Sequence, residues 1–111
     1  MKNSIQQGNK QTQRMLHMYR NDKIAGDNQA WVNCIDKARD YMREYMPQHE
    51  HVLAQMFELD SPRPRNKWKS ATTTALQEEY NLSLSMIYKL NVKATEVVMI
   101  FALSDGLVKV D

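Results

Sequence analysis

Breakers are scarce in this chain. Its 111 residues include 3 glycines and 3 prolines, too few turn formers for a fold of many short strands. Between them run long segments in which apolar residues recur every three or four positions, the period of a helix with one buried face. The expected class is therefore all-α: a small helical domain. The length suits one such domain, which at this size buries only about two-thirds of the surface its unfolded chain exposes. Apolar residues make up 42% and charged residues 25%, the proportions of an ordinary soluble globule.

Residues 1–14 are rich in Gln, Asn and Lys, with Ile5 as the one large apolar side chain. Such a stretch buries too little to offset its ordering entropy, so a flexible polar arm is expected there, followed by a single helical domain over 15–111. Met15, Leu16, Met18 and Tyr19 suit a short helix or docking segment, interrupted by Asn21-Asp22-Lys23 and Gly26. The first long helix is predicted over 28–46, with Asp27 as its N-cap. Trp31, Ile35, Ala38, Met42 and Tyr45 form its apolar stripe, and Lys37, Arg39, Asp40, Arg43 and Glu44 its outer side. Pro47 ends it, because the proline ring removes a backbone donor and restricts Met46. A second helix follows over about 47–59, its buried face made by Val52, Leu53, Met56 and Phe57.

Next comes a loop with two prolines, Ser61-Pro62-Arg63-Pro64-Arg65-Asn66, leading into Lys67-Trp68-Lys69. Arg63, Arg65, Lys67 and Lys69 fall within seven residues without an acid, while the whole chain is only +2. The rest of the chain is thus mildly acidic, and the one basic loop is the natural candidate for phosphate contact. A solvated loop would carry the same charges.

The loop precedes a helical hairpin at about 70–102. Thr73, Leu76 and Tyr80 share one face of its first helix. Asn81 tolerates the left-handed backbone that ends a helix, and after Leu82 comes Ser83, a suitable N-cap. Ile87, Leu90, Ala94, Val97 or Val98, and Phe101 line one side of the second helix. That leaves Leu84, Ser85, Tyr88, Lys89 and Asn91 or Val92 outside or at the edges. Ser85 and Lys89, four apart, can reach base edges or phosphates, and Leu84 or Met86 a thymine methyl. Arginine, the commonest base reader, is absent from this helix. An αα-hairpin that merely packs would show the same apolar pattern.

The order Leu76, Tyr80, Asn81-Leu82-Ser83, Ile87, Leu90, Lys93-Ala94 resembles the helix-turn-helix of sigma factor region four. With the preceding helices, from about Trp31 to Leu103, it looks like the small phage and prophage late-transcription regulators of the ArpU and RinA type. Asn81 stands where that motif carries glycine. The resemblance implies a sequence-specific regulator of transcription that binds double-stranded DNA. Ser83, Leu84, Ser85, Tyr88, Lys89 and Lys93 would then belong to the recognition helix, and Arg63, Arg65, Lys67 and Lys69 would hold phosphates. Two modes are compatible with it: a homodimer, or a monomer touching RNA polymerase or another host protein. The alternative of a different class is a phage-type protein that modulates a host protein through the same helical surface.

Other chemistry finds little footing. Cys34 is the single cysteine, which permits no internal disulfide and suits a reducing cytoplasm. His49 and His51, two apart on a helix, point in different directions and make a poor metal pair. No glycine-rich phosphate loop and no Ser-His-acid or Cys-His spacing is present, so no catalytic residue, cofactor or metal is expected. Residues 1–14 lack the apolar core of a signal peptide. The longest apolar run, 97–103, falls far short of the ~20 residues that span a bilayer.

Overall fold

The computed structural model describes residues 4–64 and 69–108, with the side chains of 4–6 excepted. Among the described residues the chain forms five helices: α1 (Ser4–Ala25), α2 (Gln29–Tyr45), α3 (Pro47–Met56), α4 (Lys69–Tyr80) and α5 (Leu84–Ser104). The all-α expectation holds. α5 is the central element and touches each of the other four, while α1 packs on α2, α2 on α3 and α3 on α4. Leu16, Ile35, Met42, Val52, Leu53, Ile87 and Val98 are fully enclosed where these helices meet.

The expected polar arm is instead the first half of α1, helical from Ser4 onward. Its buried side is made of small residues, which is why no large apolar period announced it. Gly8 lies so close to the chain's far end that a Cβ there would stand 2.8 Å from Val108 Cγ1 and 3.2 Å from Met99 Sδ. Thr12, also fully buried, donates its hydroxyl to the Gly8 carbonyl at 2.7 Å. Asn21, Asp22 and Lys23 do not interrupt α1; it runs on to Ala25.

One device closes four of the helices. A residue with left-handed backbone follows the last turn, and the next amide donates back to the carbonyl five residues earlier. Gly26 (φ 78°), Glu58 (φ 53°), Asn81 (φ 53°) and Gly106 (φ 75°) take that position. The returning bonds run from Asp27 to Asp22, Leu59 to Ala54, Leu82 to Gln77 and Leu107 to Ala102. Glycine enters this conformation freely and asparagine readily. Glu58 is costly there, and it ends α3 at Met56 rather than near Leu59.

Other corrections are local. α2 starts after Asn28, itself left-handed, with no side-chain cap; Asp27 is not the capping residue. Asn28 instead donates its side-chain amide to the buried Asp22 carboxylate at 3.0 Å. Trp31, Ile35, Ala38 and Met42 are buried as expected, but Tyr45 is 64% exposed because α2 ends there and α3 turns away. Gly106-Leu107-Val108 turns back onto the helices, with Val108 buried, and residues 109–111 lie outside the described part.

Candidate nucleic-acid interface

The hairpin turn forms as its residues dictate. Asn81 supplies the left-handed stop, half-buried Leu82 packs against the core, and the Ser83 hydroxyl accepts the Met86 amide at 3.3 Å. Ser83 is therefore a cap, with its oxygen committed to the helix start. Beyond it α5 divides cleanly. Ile87, Ala94 and Val98 are fully buried and Leu90 is half buried. Leu84, Ser85, Met86, Tyr88, Lys89, Val92 and Lys93 face outward. Tyr88, Lys89, Val92, Lys93 and Glu96 line a shallow depression of about 330 Å³. Lys93 lies 3.9 Å from Glu96, one turn on, and Lys89 forms no ion pair among the described residues.

The expected phosphate contacts are brought together only in part. Arg65 and Lys67 lie outside the described residues, as does Trp68. Lys69, exposed at the start of α4, borders a second depression that shares Val92 with the first. Val92 thus lies between the depression that Lys69 borders and the one that Lys89 and Lys93 line. Arg63 is different, because its partners are internal. Its amide donates to the Glu58 carboxylate, its Nε to Thr72 Oγ1 at 3.0 Å, and its Nη1 stands 3.8 Å from Glu58 Oε2. This ties the loop to α4 and leaves its side chain 20% exposed. It also explains how Glu58 is held in its strained conformation. Two further acids, Glu78 and Glu79, are exposed on α4.

Away from the hairpin, a polar network joins α1, α2, α3 and the loop after α3. Arg39, expected on the outer side of α2, is 2% exposed. Its Nη2 donates to Asp60 Oδ2 at 2.7 Å and lies 3.8 Å from Glu50 Oε2; its Nη1 donates to Tyr19 Oη at 3.3 Å. Tyr19 in turn donates to Asp36, and Arg43 Nε donates to Glu50 Oε1 at 2.9 Å. The hydrogen bond from Arg39 holds the Asp60 carboxyl below its ordinary range. No sequence pattern announces this cluster, since its members come from four segments. What it does is cross-link them.

Burial pushes the Cys34 thiol up to about 11, so it is a small core group and no nucleophile. His51 meets Glu79 at 3.1 Å, while burial and the nearby Lys93 hold His49 below its ordinary value. Among the described residues no three His, Cys, Asp or Glu side chains converge to hold a metal, and no helix is long and apolar enough to cross a membrane. No family model, curated protein or solved structure matches the chain.

Proposed function

We propose that the chain binds duplex DNA sequence-selectively and regulates transcription, in the manner of the phage late-transcription regulators it resembles. The segment from Ser83 to Lys93 of α5 faces the groove, with Lys69 beside it on the backbone. The observation that carries the reading is the division of α5 around the Asn81–Ser83 turn. Ile87 and Ala94 lock the helix to the core, and Ser85, Tyr88, Lys89 and Lys93 are exposed on the other side, Ser85 sharing a hydrogen bond with the Ser83 hydroxyl at 3.2 Å. Ser85 and Lys89 offer hydrogen-bond donors to base edges or phosphates, and Leu84 an apolar contact for a thymine methyl. Such a role places the protein with DNA in the cytoplasm. Selecting bound duplexes from a random library at two salt concentrations tests it. Enrichment that collapses at the higher salt is expected, because phosphate contacts release counterions. No enrichment at low salt overturns it.

A second reading is favoured by one specific observation. Leu84, Met86, Tyr88, Val92 and Ile100 are all exposed on this one helix, whose charged residues are Lys89, Lys93 and Glu96. Exposed apolar side chains gathered on one helix suit a protein partner, such as RNA polymerase, another host protein or a second copy of this chain. Binding through them would persist at salt concentrations that release DNA.

A further inference from the structure

The depression that Lys69 borders has a second character. It is a cleft of about 180 Å³ between α1, the end of α3, the start of α4 and the middle of α5. Three amide side chains line it: Asn9 and Gln13 from α1, and Asn91 from α5. Among the described residues the Oδ1 atoms of both Asn9 and Asn91 have no hydrogen-bond partner, and both are sealed from solvent. Buried acceptors without partners are rare in native proteins, and each calls for a physical cause. Neighbouring hydroxyls do not supply the missing donors, since Thr95 donates to the Asn91 carbonyl and Thr12 to the Gly8 carbonyl. Asn91 is half buried, one turn from Ile87 and close to Ala94 and Thr95.

Size and walls narrow what the cleft could hold. At about 30 Å³ for each water of the liquid, it has room for about six waters or for a guest of that size. It is smaller than the ~300 Å³ at which pockets for drug-sized ligands begin, so a single small ring system is the fitting guest. His17 and Phe57 form one wall, edge to face with ring centroids 4.7 Å apart. Lys69, exposed, stands at the mouth. Amides that offer donor and acceptor side by side match the edge of a nucleobase, aromatic rings take its face, and a cation takes an attached phosphate.

We propose that this cleft binds a nucleobase carrying a phosphate, as in a mononucleotide. The Asn9, Gln13 and Asn91 amides meet the base edge, His17 and Phe57 its face, and Lys69 the phosphate. The soft terminal torsion of each asparagine lets its amide turn either its donor or its acceptor toward the base edge. The proposal does not rest on the DNA reading, although Lys69 serves both, and its test contains no duplex.

The full chain is titrated with AMP, GMP, CMP and UMP, with the free bases, and with a single-stranded oligonucleotide, by calorimetry and amide NMR. At least one mononucleotide should bind and shift resonances on both α1 and α5. Asn91→Leu and, separately, Gln13→Ala should weaken it about 10-fold or more; Gln13 is exposed, so that variant keeps the fold. Lys69→Ala should weaken the nucleotide and leave the free base unchanged. Oligonucleotide binding that competes with the mononucleotide and is lost in the same variants would place the base in a strand rather than in a free nucleotide. Absence of binding by all probes at millimolar concentration overturns the site. Binding indifferent to both amide variants does the same.

Discussion

The corner where α1, α2 and α3 meet and the outward side of α5 distribute polarity in opposite senses. At the corner, ionic groups point inward: Arg39, Glu50 and Asp22 are each less than 10% exposed and hold one another or a neighbouring side chain. On α5, large apolar groups point outward, with Val92 57% and Ile100 59% exposed. A buried charge lowers stability unless it is paired, and an exposed apolar side chain gains nothing from folding. The inward charges are thus explained within the fold, by the segments they join. The outward apolar groups are not, and the proposed protein-binding reading rests on them.

Removing the central cation should produce the largest effect. Arg39→Ala leaves Glu50 and Asp60 short of a partner and Tyr19 with Lys23 alone as donor; urea unfolding should show a loss of about 3–5 kcal/mol. If the loss is under about 1 kcal/mol, the network is solvated and the contrast fails. On the other region, Ile87→Ala should cost about 3 kcal/mol and Leu90→Ala, half buried, clearly less. Leu84→Ser, on the same helix but outside, should stay within about 0.5 kcal/mol. The thermal melts of the three variants check that order.

Binding sharpens the comparison further. Changing Ser85 and Lys89 together to Glu should leave the melt within about 0.5 kcal/mol of the parent. It should weaken a selected duplex by about 10-fold or more, equal to 1.4 kcal/mol. A folded double variant that binds DNA as well as the parent transfers this face to a protein partner. Salt dependence of the residual binding shows which groups remain engaged.

Two smaller effects concern the start of α1 and the edge of the first region. Gly8→Ala adds helix propensity worth about 1 kcal/mol, but its Cβ would press on Val108 and Met99, where overpacking costs about 1–3 kcal/mol. A net loss of about 1 kcal/mol is expected. A net gain would mean that the start of α1 is an undocked arm. Asp60 has the smallest part, its side chain being 65% exposed. Its carboxyl is held down by Arg39, so its contribution is present above the unfolded value and disappears as pH falls below about 4. Asp60→Asn should flatten that limb of a stability-versus-pH curve.

Much of this fold is legible from local signals. Pro47 and Asn81 break the chain where expected, and Ser83 caps α5, because each acts through its own backbone geometry. The buried faces of α2, α3 and α5 follow apolar period, which needs no knowledge of the partner helix. What stayed hidden depends on partners distant in sequence. Arg39 reads as a surface residue until Tyr19, Glu50 and Asp60 surround it. The start of α1 reads as an arm because Gly8 and Thr12 dock by closeness rather than by apolar bulk. In the candidate interface, Ser85, Lys89 and Lys93 are outward as periodicity required. The internal engagement of Arg63 depends on Glu58 adopting a backbone that glutamate rarely takes. The cleft amides escaped notice for the same reason as Arg39, since Asn9 and Asn91 meet only after α1 and α5 are docked.

The contact of Gly8 with Met99 and Val108 also orders events during synthesis. A growing polypeptide emerges amino end first, yet the surface that receives the start of α1 is made by residues near the other end. Closing so long a loop carries an entropic cost, and no local apolar cluster offsets it early. While α2, α3 and α4 leave the ribosome, the surface that receives Gly8 does not yet exist. That contact must wait for α5 to be translated, so an early segment is fastened late.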